Sequence, residues 1–178
     1  MKNRLLLLLC LFSTFSFSLD YLRYDKYGFS IKIPESWEYD YSCEENEHCI
    51  QKLRSEVFIN GSFHYPSIII EAFPSDSAKN NTINSLSAKK AFEYTKDLFK
   101  LENVKLYDRG KRNIDNIDIK WAFFEHDNGE TKFNFKSYYF GWKNWIFRFT
   151  YKSDAEIGVF QIVKSDFEKA MKTLKMDR

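Results

Sequence analysis

The sequence predicts an α+β sandwich, in which helices cover the faces of one antiparallel sheet, and two patterns carry that prediction. From Ile117 to Lys152, apolar and polar residues alternate in three successive runs, an aromatic meander. A period of two is typical of strands with one buried side. From Ser87 to Leu101 the apolar residues instead recur every three to four positions, the period of a helix with one buried stripe. Strands grouped apart from helices indicate the α+β class.

Two turns separate the runs of the meander, Asp127-Asn128-Gly129-Glu130 and Gly141-Trp142-Lys143-Asn144. Asn-Gly favours a hairpin because both residues tolerate a positive φ. In the middle strand, Phe133 and Phe135 alternate with polar residues such as Lys136, so we expect the aromatic side to be buried and the lysine side to face solvent. Other apolar residues interrupt the polar sides, so part of the second face must also be covered. They are Ala122, Phe124, Tyr138, Phe140 and Ile146.

Further strands are expected before and after the first helix, giving about six to eight in all. Phe29–Pro34 alternates cleanly, and Ser67–Phe73 is apolar on both sides, which favours a central position in the sheet. Val57–Phe63 is a weaker strand with a turn or bulge at Asn60-Gly61. Val104–Lys111 alternates again and leads into the meander.

The helical and irregular segments are read from caps and composition. Pro74–Asn84 is polar and has no period, so it is interpreted as a surface loop. Ser85 or Ser87 can cap the following helix. Near the end, Ile157–Val163 is interpreted as a short helix, and a separate final helix is expected to start at Ser165, because Ser165-Asp166-Phe167-Glu168 fits a capping box.

Residues 1–18 have the pattern of a cleavable secretory signal peptide. Lys2 and Arg4 precede the apolar run Leu5–Phe17, and Ser16-Phe17-Ser18 forms a small-x-small cleavage site before Leu19. Residues 19–178 are then a single domain, exported to the periplasm or beyond. A retained N-terminal anchor is the alternative.

The remaining 160 residues carry 25 cations and 25 anions, because the signal contains two cations and no acidic residue. This neutrality argues against a nucleic-acid partner, which requires a net basic face.

The three cysteines fit an exported protein. Leu7-Leu8-Leu9-Cys10 resembles a bacterial lipoprotein box, although Leu9 stands where that box has a small residue. Membrane attachment is therefore expected only if the signal is retained or Cys10 is lipidated. Cys43 and Cys49 are a close pair, which favours a disulfide worth about 2 kcal/mol. The alternative, a metal site that adds His48 and a glutamate, lacks a second cluster at zinc-type spacing.

No catalytic, metal or cofactor motif is found. The sequence contains no phosphate-binding glycine loop, G-x-S-x-G elbow or HExxH helix. His48, His64 and His126 are scattered, and His126 is expected to be a solvated turn residue rather than a catalytic base. Trp142 and Lys143, at the tip of the second meander turn, are with His126 the candidate binding surface, because exposed aromatic residues often mark contact sites. Packing of Trp142 back over the neighbouring strand is the alternative.

The segment Gly28-Phe29-Ser30-Ile31-Lys32-Ile33-Pro34-Glu35-Ser36-Trp37 resembles the start of PsbP-like domains, in which an aromatic-Ser-hydrophobic strand runs into Pro-x-x-Trp. The order of elements is also similar, from about Tyr24 to Met176. The resemblance implies an α/β/α sandwich around an antiparallel sheet. It also implies a binding or assembly role, since the family includes a photosystem II subunit, a Ran-binding import factor and exported bacterial proteins. It implies no catalytic motif, and the Cys43–Cys49 segment departs from the pattern.

These observations favour an exported, non-catalytic binding or assembly protein of the bacterial cell envelope that recognises another protein. The first alternative is a carrier of an apolar small molecule or lipid between sheet and helices, suggested by apolar residues on both faces of the meander. Others are an immunity or inhibitor protein and a hydrolase using His126 or His64 with nearby carboxylates.

Overall fold

The computed structural model describes residues 19–41, 47–98, 101–127, 129–154 and 157–177, and the predicted signal peptide lies outside them. These residues form one large sheet, two smaller ones and three helices, in the following order. The elements are β1 (Leu19–Tyr24), β2 (Phe29–Pro34), β3 (Glu38–Tyr39), β4 (Cys49–Arg54), β5 (Val57–Ile59), β6 (Ser62–His64), β7 (Ser67–Pro74), α1 (Ser77–Ser85), α2 (Ala88–Leu98), β8 (Val104–Ile114), β9 (Ile117–Asp127), β10 (Lys132–Trp142), β11 (Trp145–Asp154), α3 (Ile157–Lys172) and β12 (Lys175–Met176).

The large sheet has seven strands in the order β3-β4-β7-β11-β10-β9-β8, and every neighbouring pair is antiparallel. The meander is confirmed as β9, β10 and β11, with Phe135 opposite Phe124 on one side and Lys152 on the other. The prediction that Ser67–Phe73 is central is also confirmed, because β7 lies between β4 and β11. The α+β class and the layered architecture are those expected.

One face of the large sheet, here called the front face, carries the main core. It is covered by α3 and by a small sheet of order β1-β2-β12, whose Phe29 meets Phe147 and Phe149 with ring centroids 5.3 Å away. Phe167 of α3 packs against Tyr138 and Tyr151. These side chains are almost wholly buried, and their edge-to-face and tilted contacts are the geometries that aromatic rings prefer.

The opposite face, here called the back face, is covered by α1 and α2 over β8, β9 and β10. Phe92 and Ala91 of α2 pack on Phe124 and Ala122, and Ile83 of α1 joins the same cluster. The prediction that something covers part of the second face is therefore confirmed. Ser87 caps α2, since its hydroxyl accepts a hydrogen bond from the Lys90 amide.

The interpretation of Pro74–Asn84 as a loop was wrong, because residues 77–85 form α1. Asp76 caps this helix by accepting the Lys79 amide at 2.8 Å. Asn84 then binds the backbone of Gly141 twice, with its amide nitrogen and its carbonyl oxygen each 2.9 Å from the partner. α1 is mostly polar and depends on such tertiary contacts, which a search for hydrophobic period does not detect.

The prediction of a separate final helix that starts at Ser165 was also wrong. α3 is continuous from Ile157 to Lys172, so Ser165 lies inside it and cannot be its N-cap. Glu168 instead reaches β10, where its Oε1 is 2.5 Å from the Lys136 ammonium.

The expected separation of buried aromatic and exposed lysine sides in β10 does not hold. Lys136 is only 7% exposed and lies on the front face beneath α3, while Phe133 and Phe135 point to the back face and are half-buried. Lys136 tolerates burial because it pairs with Glu168 and lies 4.5 Å from the Trp121 ring centroid. The pKa of Lys136 is lowered, and the largest cause is burial of the ammonium group.

Candidate recognition surface

The hairpin β5–β6 exposes two phenylalanines side by side. Phe58 and Phe63 are directly opposite in the register, their ring centroids are 4.9 Å apart, and they are 61% and 58% exposed. The turn between the strands uses Asn60 and Gly61, both with positive φ, as Asn-Gly in a two-residue hairpin predicts. Aromatic rings that contact each other, here at a tilt, but remain exposed to water are typical of contact surfaces.

The other side of this hairpin is fixed to the body of the protein. Val57 packs against the front core, and the Nδ1 atom of buried His64 lies 2.8 Å from a carboxylate oxygen of Asp154 at the end of β11. At the base, the Ser55 amide donates to the Pro66 carbonyl at 3.1 Å. The phenylalanine pair is therefore held on a supported platform.

Next to the hairpin, the back face is left open over β4, β7 and β11, because α1 and α2 cover only the other half. This open half forms a cleft of about 350 Å³. Tyr65, two residues beyond Phe63, lies at its rim and connects it with the hairpin. The cleft is lined by Asp40, Cys49, Lys52, Arg54, Tyr65, Ser67, Ile69, Glu71, Phe133, Lys152, Ser153 and Asp154.

Each of the three carboxylates of the cleft is paired with a basic side chain. Asp40 pairs with Lys52 at 2.9 Å, and Glu71 accepts two hydrogen bonds from the Arg148 guanidinium at 2.5 and 2.7 Å. Asp154 holds His64, as described above. The pairing matters most for Glu71, whose side chain is only 5% exposed, because an unpaired charge loses its hydration when it is buried.

Two further cations of the cleft lie on aromatic rings. The Lys152 ammonium is 3.9 Å from the ring centroid of Phe133, and the Arg54 guanidinium carbon is 5.8 Å from that of Tyr65. Burial lowers the pKa of Lys152, and the neighbouring Lys52 ammonium lowers it further. The rings attract these cations without neutralising them.

The three residues predicted as a binding surface do not come together. Trp142 ends β10 opposite Trp145 and is half-buried against the front core, so the tip of the turn is formed by Lys143 and Asn144. Lys143 is exposed and has a positive φ. His126 lies beside Phe133, at the other end of β10, which is about 30 Å from Trp142 at the usual rise of a strand.

Of the cysteines and histidines discussed above, Cys49 and the three histidines lie within the described residues. Cys49 begins β4, and Cys43 lies outside, so their disulfide stays a prediction. The ring of His48 lies tilted against that of Phe73, with ring centroids 4.2 Å apart, and its Nε2 atom is 3.1 Å from a Glu47 carboxylate oxygen. Across the described ranges, no three His, Cys, Asp or Glu side chains are grouped as a metal site would require. His64 is likewise paired with a carboxylate, that of Asp154, while the ring of His126 contacts Phe135.

The phenylalanine pair and the cleft were missed by the sequence analysis. One signal for the pair was present: Val57-Phe58-Ile59 and Phe63 make a short hairpin apolar on both sides, and a two-stranded hairpin cannot bury both. Arg54 and Lys152 come from strands distant in the sequence, so no local pattern links them.

The sandwich and its layers define the class of this protein as a PsbP-like fold. Among solved structures, cyanobacterial PsbP (CyanoP) from Synechocystis matches with a TM-score of 0.59 and 17% identity, covering 92% of this chain and 95% of that one. The Saccharomyces cerevisiae Ran-binding protein Mog1p matches with 0.56 and 7% identity over 90% and 96%. LpqN, involved in cell envelope biogenesis of Mycobacterium tuberculosis, matches with 0.51 and 8% identity over 90% and 91%.

At these identities the likeness is one of fold, on which different functions occur. No protein-family model matches the sequence, and no curated protein sequence does either. None of the helices in the described part of the chain has the length and apolar character needed to span a bilayer.

Proposed function

We propose that this protein is an exported, non-catalytic protein-binding domain of the bacterial cell envelope, and that the β5–β6 hairpin is its contact surface. The observation that carries the proposal is the exposed pair Phe58 and Phe63 on a hairpin anchored through Val57 and His64. Aromatic side chains on a rigid support give up little conformational entropy on binding, which makes them effective anchors in interfaces.

Two further observations support this proposal. Residues 1–18 have the features of a secretory signal, which favours the envelope or the exterior. Proteins of the same fold include a Ran-binding protein and one involved in cell envelope biogenesis.

The test compares the mature protein, residues 19–178, with the variant Phe58→Ser/Phe63→Ser in pull-downs from an envelope extract of the source organism. A matched control is Tyr21→Ser, since Tyr21 is also exposed, at 56%, but lies on β1. We expect one protein to be retained by the wild type and by the control, and lost from the double variant. Because the two rings are solvent-exposed, the double variant should keep the wild-type melting temperature.

Equal retention by all three proteins would contradict the role of the hairpin, and absence of any specific protein would contradict protein binding itself. The identity of the retained protein also separates two kinds of binding protein. A toxin or enzyme would indicate an immunity or inhibitor protein, whereas an envelope component would indicate an assembly factor.

A further inference from the structure

We propose that the open cleft is a second binding site, specific for a carboxylate or phosphate group attached to an aromatic or other apolar body. This inference is independent of the hairpin as a protein-contact surface. It rests on the placement of Arg54, Ser67 and Lys152 in one row of the sheet and on the two aromatic rings beside them.

The sheet register places the two cations on either side of Ser67. Ser67 of β7 pairs with Arg54 of β4 on one side and with Lys152 of β11 on the other. Paired residues of neighbouring strands project to the same face, and strands are about 4.8 Å apart, so the two Cα atoms are separated by about 10 Å. A guanidinium and an ammonium on side chains of this length can both reach an anion located above the Ser67 hydroxyl.

The charge of the cleft favours an anion over a cation. Asp40, Glu71 and Asp154 are each held by a basic side chain within the protein. Among the described residues, Arg54 and Lys152 form no ion pair and lie on rings instead. An entering anion would therefore meet two cations that no carboxylate contacts at ion-pair distance, although Asp154 is near enough to attract Lys152.

The walls of the cleft favour a ligand that also has an apolar part. The rings of Phe133 and Tyr65 contact the two cations and also line the cleft. Ile69 lies two residues from Ser67 on the same strand and lines the cleft as well. A volume of about 350 Å³ lies within the range of small-molecule sites, about 300–1,000 Å³. An anion with no apolar part would leave the two aromatic rings exposed to water. An uncharged apolar molecule would leave the positive charges of the two cations without a counterion.

The experiment is an NMR titration of the ¹⁵N-labelled mature protein with four probes: phenyl phosphate, phenylacetate, inorganic phosphate and benzyl alcohol. We expect the amide signals of Ser67 and Lys152 to shift with phenyl phosphate, with phenylacetate, or with both. For a probe of this size the dissociation constant should be of the order of 1 mM. The anion that binds more tightly identifies the phosphate or the carboxylate as the preferred group.

Two variants test the assignment of residues. Arg54→Gln and Lys152→Met should each weaken binding at least about tenfold, the loss expected for one charge-assisted hydrogen bond. Lys111→Gln, an exposed lysine of β8, is the matched control and should leave binding unchanged. Phe58→Ser/Phe63→Ser should bind the probes normally, which keeps this test separate from that of the hairpin.

Three outcomes would overturn the proposal. The first is the absence of shifts at Ser67 and Lys152 with either aromatic anion. The second is equal binding of benzyl alcohol, which would mean that charge is not recognised. The third is unchanged binding by both cleft variants, in proteins whose spectra otherwise match the wild type.

Discussion

Replacing Arg148 with methionine should destabilise this protein strongly, because the substitution strands a buried carboxylate. Glu71 and Arg148 face each other on β7 and β11, and the Glu71 side chain is only 5% exposed. Two charge-assisted hydrogen bonds, at 2.5 and 2.7 Å, now replace its lost hydration. Removing one partner of a buried pair costs about 3–5 kcal/mol. In a domain of this length that lowers the melting temperature by about 6–20 °C.

The assay is urea unfolding followed by tryptophan fluorescence, supported by calorimetry. The double variant Glu71→Met/Arg148→Met should recover most of the lost stability, because it removes the stranded charge as well as its partner. Lys111→Met, which breaks an exposed pair with Asp118, is the control and should leave the urea midpoint unchanged. The reasoning would be refuted if Arg148→Met behaved like this control, or if the double variant were no more stable than the single one.

Three further predictions follow from the packing, from the buried tyrosines and from the cysteines. Gly141→Ala should cost about 1–3 kcal/mol in urea unfolding, since the new Cβ would lie 2.7 Å from the Asn80 Cα of α1. Burial raises the pKa of Tyr139 to about 12, so stability should be complete below pH 10 and decline as the pH rises towards 12. Tyr139→Phe should reduce that alkaline decline by up to about 1.4 kcal/mol per pH unit. Cys43 and Cys49 should resist alkylation in the purified mature protein, and reduction should lower the free energy of unfolding by about 2 kcal/mol.

Each of these outcomes has a direct check. Unchanged exchange rates of α1 amide protons in Gly141→Ala would show that α1 shifts to admit the methyl group with no loss of stability, which would contradict the prediction. For the alkaline titration, a slope of Tyr139→Phe equal to that of the wild type would contradict the role of the buried Tyr139 hydroxyl. Modification of both cysteines without reductant, detected by mass spectrometry, would exclude the bridge.

The sheet could be predicted because its strands obey a local rule. The alternation through β9, β10 and β11, and the Asn60-Gly61 turn, follow from side-chain period and backbone sterics, which act within a few residues. α1 could not be found in this way, since its polar contacts include the Asn84 side chain on Gly141 and the Asn84 carbonyl group, which accepts from Lys120. Those partners lie more than thirty positions away in the chain.

Charged residues on the sheet were misjudged for a related reason. Lys120 and Lys136 alternate with apolar neighbours and therefore look solvent-exposed, yet each is less than 10% exposed. Which side of a strand meets solvent depends on whether a helix crosses it, and α3 crosses the Lys136 side of β10. The cleft depends on helix coverage in the same way. It is the part of the back face that α1 and α2 leave uncovered, and no local sequence pattern shows how far the helices extend over the sheet.

The pairing of β12 with β2 has a consequence for biosynthesis. Met176 lies opposite Phe29, and α3, which precedes β12, covers the core that β2 lines. A chain that emerges from a ribosome with its N-terminus first therefore leaves Phe29 without its final neighbours until α3 and β12 have appeared. Closing so long a loop is slow, so β2 should become resistant to proteolysis only late in folding.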